Sequence, residues 1–346
     1  MSKKKALIAM SGGVDSSVAA LLTQKAGYDI AGMTLRLCEN GDNSAVKDAA
    51  DIAGKLSISF TVMDLREDFE TEVIRRFIDA YEQGETPNPC ICCNLHIKFQ
   101  KILQRALQSG YDTVVTGHYA VIDRNPDTGR HILRKSRDAK KDQSYMLYAL
   151  TQEQLAHAYF PLGNLTKEEV RRIAVENGFV NADRGDSQDI CFIPDGDYAG
   201  FIRSHSGKEA VPGNFTGTNG QVYGQHRGII YYTIGQRKGL GLSFPEPMYV
   251  GKIDAERNEV LLCRHDELFS AELTAKQINF VAYEIDGPAR VKVKIRYHHK
   301  EQPATVTRTD EDTLAVVFDE PQRAVTKGQA VVLYDGDMVV GGGIIS

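Results

Sequence analysis

The first third of the chain alternates short apolar runs with amphipathic segments, and that alternation leaves few folds open. Residues 6–10, 29–37, 57–63 and 113–121 are rich in apolar and β-branched side chains. Between them, residues 16–26, 44–56, 68–82 and 95–108 repeat apolar positions at helical spacing. Strands that alternate with helices of this length must run parallel, because each crossover helix returns the chain to the same edge. The predicted fold class is therefore α/β, with a parallel sheet covered by helices on both faces. Such sheets gather ligands at the carboxyl ends of their strands.

The texture changes after about residue 207. Glycine and β-formers rise, and short strands recur with turn signals between them, as in "RVKVKIRY", "DTLAVVFD" and "QAVVLYDGDMVVGGGII". Three units are expected: a Rossmann-like catalytic domain over 1–206, a small β-rich linking domain over 207–271 and a β-barrel over 272–346. With 346 residues the chain is long enough for several cores. No apolar run reaches the roughly 18–20 residues that span a bilayer. The N-terminal "MSKKKALIAM" is too short in its apolar part for a secretory signal and reads as the first strand, so a cytoplasmic protein is expected. A net charge of −5 argues against indiscriminate nucleic-acid binding. Local basic surface remains available in "RKSRDAKKDQ" (134–143) and "KVKIRYHHK" (292–300).

The turn after the first strand reads "AMSGGVDSS". Glycines at a strand-to-helix turn let the backbone approach a ligand, and the helix beyond offers unpaired N–H donors. That combination is an anion site, best suited to phosphate. Neither the common P-loop GxxxxGK[ST] nor GxGxxG is present.

Three of the six cysteines fall in "TPNPCICCN" (86–94). Prolines on either side of Asn88 keep the stretch extended, with no helix expected before Leu95. Cys90 and Cys93 have CxxC spacing, and the nearby helix N-terminus is expected to lower the Cys93 thiol pKa. Cys191 lies in "DSQDICFI", while Cys38 and Cys263 read as small buried hydrophobes. A redox CxxC would directly follow a strand, and a structural zinc site would want a fourth Cys or His. Neither pattern is met.

These motifs, in one order along almost the whole chain, resemble the tRNA-specific 2-thiouridylases, a branch of the PP-loop ATP pyrophosphatases. The resemblance rests on "AMSGGVDSSVAA", "TPNPCICCNLHIKF", "TGHYA", "KKDQSYMLY", "SQDICFI" and "GIIYYTIGQRKGLG". It implies ATP-dependent thiolation at C2 of the wobble uridine, with ATP and Mg²⁺ bound and no membrane involved. By position, Ala9, Met10, Ser11, Gly12, Gly13, Val14, Asp15 and Ser16 would cradle ATP, with Leu35 and Gly117 lining its site. Asp15 would hold Mg²⁺ or orient phosphates. Asn88, Pro89 and Cys90 would lie beside the target base, Cys93 would be the nucleophilic partner and Cys191 would carry a persulfide. His118, Lys141, Asp142, Gln143, Arg296, Tyr297 and Gln329 match positions that contact the tRNA anticodon stem-loop. A sulfur-relay protein or a cysteine desulfurase would load the sulfur.

Two sulfur chemistries stay open at this point. Many relatives carry Asp at the position of Cys90. With a cysteine there, Cys90, Cys93 and Cys191 would supply three thiolates to a [4Fe–4S] cluster with one open iron. Otherwise sulfur passes as a persulfide and leaves a Cys93–Cys191 disulfide. Rival readings are a PP-loop ligase for a small metabolite, which has no use for the cysteines or the β half, and a non-catalytic RNA-binding module, which leaves SGGVDSS without a purpose.

Overall fold

The computed structural model describes residues 3–38, 43–181 and 190–346. Its N-terminal sheet is all parallel, with strand order β3-β2-β1-β4-β7. These strands are β1 (Lys5–Ala9), β2 (Asp29–Arg36), β3 (Phe60–Asp64), β4 (Thr113–Val115) and β7 (Ala158–Tyr159). Central β1 buries Ala6, Leu7 and Ile8 on both faces, which is why it reads as an unbroken apolar run. Helix α1 (Val14–Lys25) and α2 (Asn43–Lys55) pack one face with Val18, Leu21, Ala49 and Ile52. Helix α3 over 66–82 and helix α4 over 89–108 both run on the side that carries the cysteines.

Two expectations need correction. Helix α4 begins at Pro89, well before Leu95, with Asn88 as its N-cap accepting from the Cys90 N–H. Proline is compatible with the first helical turn, since its missing N–H would have had no intrahelical partner. The "TPNPCICCN" loop is thus half helix, and Cys90, Cys92 and Cys93 sit in its opening turns. The expected strand 113–121 also breaks in two. After β4 the chain turns through Gly117 and His118 and enters β5 (Ala120–Arg124), which pairs with β6 (His131–Lys135) in a different sheet.

Beyond helix Tyr198–Ser206 lies a four-stranded sheet of order β10-β11-β8-β9. Its strands are β8 (Gly213–Gly217), β9 (Val222–His226), β10 (Tyr249–Asp254) and β11 (Glu259–Cys263), built on Phe215, Tyr232, Val250, Val260 and Leu262. The C-terminal strands β12 (Phe269–Phe280), β13 (Ala289–Lys294), β14 (Gln302–Arg308), β15 (Thr313–Arg323), β16 (Ala330–Asp335) and β17 (Met338–Ile345) pair in the order β12-β15-β14-β13-β16-β17. A β12–β17 pairing closes them into a barrel. Alternate residues such as Val291, Val293, Val316 and Phe318 fill its interior.

The β5–β6 hairpin was not foreseen as part of this barrel. It belongs in sequence to the N-terminal unit, yet β6 pairs with β17. Residues of both units then share one core, where Tyr145, Tyr148 and Leu147 meet Val332, Tyr334 and Val339. Parallel sheet and barrel are thus joined through apolar burial in a shared core.

Candidate active site

Two clusters lie at the carboxyl ends of the parallel strands. The first is the turn between β1 and α1. No side chain caps α1, whose N-cap is Gly13 in an extended conformation. Its first N–H groups therefore face the open end of the turn. Around them the loop is tied tightly: the Ser11 N–H donates to Ser16 Oγ at 3.1 Å, while the Ser16 and Ser17 hydroxyls donate to the Gly13 carbonyl at 3.0 Å. From outside, Asn181 Nδ2 donates to the Gly12 carbonyl at 2.8 Å. Thr34 of β2 fixes the Met10 carbonyl at 2.7 Å. A loop held by so many backbone contacts is shaped before any ligand arrives.

The two glycines do different work. Gly12 has φ +75°, and a Cβ there would run into the Ala45 backbone of α2. Gly12 therefore serves close packing against α2, which differs from the expected role of making room for the ligand. Gly13 has an ordinary φ, and a Cβ there would meet only Ser11 Oγ, at 3.4 Å. The open space belongs to Gly13. Gly117 is a second close approach, because a Cβ would stand 2.8 Å from the Asp15 carbonyl carbon and the Ser16 nitrogen.

Asp15, in the first turn of α1, is not alone. Lys167 Nζ lies 2.7 and 2.8 Å from its two carboxylate oxygens, and the Tyr119 hydroxyl donates to it at 2.8 Å. Lys167 is 6% exposed, a depth at which an unpaired ammonium would be costly. Sequence reading missed it. The signal was available, since Lys167 follows Thr166, the N-cap of a helix with a complete capping box. What was not available was the distance between that helix and α1.

The second cluster is sulfur. All six cysteines are free thiols. Cys93 is buried, while Cys90 and Cys191 reach solvent as residues but keep crowded, poorly solvated surroundings around their thiols. Cys93 and Cys90 lie close enough to Cys191 for their charges to disfavour its ionisation, and Cys38 acts on it more weakly. Cys38 was expected to be a plain core residue, yet Cys93 influences it too. The Cys191 segment is held by its neighbour Phe192, whose ring packs edge-on against Phe69 and Phe77 of α3. Ser187 to Asp189 of the "SQDICFI" motif lie outside the described residues.

The expected low-pKa cysteine is corrected by the structure. Burial pushes the Cys90, Cys93 and Cys191 thiols up, Cys191 to about 12. One charge opposes burial at all three: Lys98, which also presses His118 toward the neutral form. A π-helical stretch, Cys93–Lys101, sets this geometry, because i→i+5 bonding stacks Lys98 one turn beyond Cys93. Among the described residues no carboxylate pairs with Lys98.

The fit of bound metal can be judged from these positions. Among the described residues no group of three or more His, Cys, Asp or Glu is arranged to hold an ion. Cys90, Cys93 and Cys191 as placed do not form a ready cluster site. Mg²⁺ commonly takes one or two carboxylates together with substrate phosphates; Asp15 is the carboxylate beside the turn, and both its oxygens are engaged by Lys167, with Tyr119 donating to one of them.

The remaining expected residues occupy both core and surface positions. Leu35, the penultimate residue of β2, packs with Met63 and Cys38 against the core cluster that includes Cys93. Asn88 caps α4 and Pro89 is buried beneath it. Gln329 Nε2 donates to the Thr86 carbonyl at 2.6 Å, so the barrel props the segment that leads to Cys90. Tyr297 donates to the Asp142 carbonyl at 3.0 Å, and Gln143 bonds to Tyr119 through backbone and side chain. Arg296 reaches the Arg323 and Ala324 carbonyls at 3.4 Å, which orients its guanidinium along the barrel mouth. Lys141 is half-buried in the same turn. His118 is different: it is 8% exposed, pressed between Phe99 and Phe160, bonded to Thr116 and held neutral by burial. It offers shape and not charge.

Comparison with known proteins agrees with this assembly. Residues 4–195 match the family described as "tRNA methyl transferase HUP domain", 199–264 its PRC-barrel domain, and 270–345 an "Aminomethyltransferase beta-barrel domain". The tRNA-specific 2-thiouridylase MnmA of Clostridioides difficile strain 630 is 51% identical over 99% of this chain and 98% of its own length. Its namesake from Acetivibrio thermocellus is 49% identical over the whole of both chains. Among solved structures, a 4-thiouridine synthetase–RNA complex with bound ATP is similar at 20% identity and TM-score 0.41, over 55% of this chain and 45% of the other. That last likeness is too slight to argue from. Identity near one half along the full length is decisive, and the chain belongs to the tRNA-specific 2-thiouridylases, sulfurtransferases that act on tRNA.

Proposed function

We propose that this enzyme replaces O2 of the tRNA wobble uridine with sulfur, in the cytoplasm, using ATP to activate the oxygen and a Cys191 persulfide to deliver the sulfur. The carrying observation is that an uncapped strand-to-helix turn and a cluster of free thiols sit at the same sheet edge, with Gln329 of the barrel bonded to the segment that leads to Cys90. The thiols favour the sulfur transfer named for the relatives over the methyl transfer in two family descriptions. The working units are taken as 1–206 for chemistry, 207–271 as a link and 272–346 as an RNA-holding barrel.

In this reading residues Ala9 to Ser16 hold the ATP phosphates through backbone N–H groups, with Leu35 and Gly117 beside the nucleotide. Lys167 supplies positive charge next to Asp15, and Asp15 would orient the phosphates through Lys167 or share in holding Mg²⁺. Positioning and charge neutralisation are what phosphate chemistry asks of a protein. Uridine O2 attacks the α-phosphate and pyrophosphate leaves, which turns a poor leaving group into AMP. Asn88, Pro89 and Cys90 flank the uracil, which must leave its stack to reach them. Lys141, Asp142, Gln143, His118, Arg296, Tyr297 and Gln329 line the RNA side.

Sulfur arrives on Cys191 from a sulfur-relay protein or a cysteine desulfurase. The terminal sulfur of the persulfide attacks C2. Cys93 Sγ then attacks Cys191 Sγ, the bond between Cys191 and the terminal sulfur breaks, and its electron pair stays with the sulfur on C2 as AMP departs. The products are 2-thiouridine, AMP and a Cys93–Cys191 disulfide, which a thiol reductant restores. Lys98 stabilises the sulfur anions in this exchange.

The test is single-turnover thiolation of tRNA by iron-free protein given a persulfide donor. 2-Thiouridine should form with one pyrophosphate per turnover, and Cys90→Asp should retain most of the rate. Activity that tracks iron content and vanishes in Cys90→Asp would replace the relay with a cluster on Cys90, Cys93 and Cys191.

A further inference from the structure

One run of hydrogen bonds joins the barrel to the phosphate turn, and Tyr119 is its middle. The Tyr297 hydroxyl of the barrel donates to the Asp142 carbonyl at 3.0 Å. The Asp142 carboxylate in turn accepts from the Ser136 N–H at 3.0 Å and the Ser144 hydroxyl at 2.8 Å, and Ser144 Oγ lies 3.3 Å from the Tyr334 hydroxyl of β16. The next residue, Gln143, grips Tyr119 at two points. Its N–H donates to the Tyr119 carbonyl at 2.9 Å, and its Oε1 accepts from the Tyr119 N–H at 2.9 Å. Finally the Tyr119 hydroxyl donates to Asp15 at 2.8 Å, alongside Lys167.

Physical features make this more than a string of contacts. Tyr119 is 2% exposed, so its ring cannot swing aside without opening the core. The two-point grip fixes its backbone, and a phenol ring is a rigid arm between that backbone and Asp15. The loop that carries it also rests on α1 itself, through the close approach of Gly117 to Asp15 and Ser16. A displacement of residues 141–143 therefore has to move either Tyr119 or the bonds that hold it.

We propose that Tyr119 is a positioning residue that couples tRNA docking at the Lys141–Gln143 turn to the binding of ATP at the Asp15 turn. This rests on the functional reading above, in which that turn and Tyr297 face tRNA. The consequence is economy: ATP is committed only when a uridine is present to be activated. By reciprocity, ATP must tighten tRNA by the same factor as tRNA tightens ATP.

The experiment measures ATP dissociation constants with and without saturating tRNA, using a non-hydrolysable ATP analogue, for the full chain and for Tyr119→Phe. Intact protein should bind the analogue several-fold more tightly with tRNA, within the ~5–150-fold range usual for coupled sites. In Tyr119→Phe the ratio should fall to about one, while binding of each ligand alone remains measurable. Gln143→Leu, read at saturating tRNA, should lose the same ratio, and the double variant should lose no more than either. Full coupling in Tyr119→Phe overturns the proposal, as does an intact protein whose ATP affinity ignores tRNA. Loss of ATP affinity by one factor in both conditions would make Tyr119 a local support only. Failure of the intact protein to bind ATP or tRNA at all would instead overturn the underlying reading.

Discussion

The phosphate turn and the sulfur cluster occupy the same sheet edge but are built on opposite plans. The turn is backbone: its serines, Asn181 and Thr34 bond to its carbonyls and hold it open without a ligand. The sulfur cluster is side chain, gathered from α4 and from a segment about a hundred residues later, and its thiols are pushed toward the neutral form. The contrast has a chemical reason. Phosphate arrives charged and needs a fixed shape, whereas a free thiolate at rest would oxidise or react with the wrong partner. The enzyme keeps one end ready and the other end quiet.

Removing the sulfur atoms tests the division most severely. Cys93→Ser and Cys191→Ser should each lower single-turnover thiolation by at least ~10³-fold, as loss of a nucleophile does. Both should still release pyrophosphate in the presence of tRNA. Loss of pyrophosphate release in either variant would mean that the two ends are not separate.

The glycines give the next largest effect and separate fold from binding. Gly12→Ala places a Cβ against the Ala45 backbone at φ +75°, so a loss of several kcal/mol, seen in thermal or denaturant melting, is expected. Gly13→Ala should melt within about 1 kcal/mol of the parent yet bind ATP measurably more weakly, because its Cβ enters the open space of the turn. Equal melting temperatures for the two variants would contradict the assignment of these roles.

Lys98 gives the smallest expected effect. Lys98→Gln should slow sulfur transfer about tenfold and leave pyrophosphate release unchanged, with Lys98→Arg restoring most of the rate. Burial of the Cys191 thiol, which Lys98 only partly offsets, sets a pH signature. Because the Cys191 thiol is raised to about 12, its thiolate fraction climbs with pH throughout the ordinary range. Alkylation of Cys191 in the resting enzyme should rise about tenfold per pH unit, with no plateau below pH 9. A plateau near neutrality would show a thiol already activated by its surroundings.

Much of this was legible in the sequence because it is local. The parallel sheet follows from periodicity, the anion turn from glycines between a strand and a helix, and the family from motifs in order. The N-terminus of α4 was misread because proline's two effects, breaking a helix interior and starting a helix, look alike without the cap; Asn88 decides between them. The thiol pKa was misread for a related reason. Proximity to a helix end is visible in sequence, but burial is not, and burial raises the Cys93 thiol.

What the sequence by itself determined, then, is the chemical character of each segment: a glycine-rich turn between strand and helix, clustered thiols, local basic stretches. What only the tertiary structure decided is which of these meet. Lys167 reaches Asp15 across 152 positions, and Gln329 reaches Thr86 across 243. Hairpin β5–β6 leaves its own domain to join the barrel. Such contacts are set by how buried apolar faces stack, and that stacking depends on the summed shape of many distant side chains, which no local pattern records.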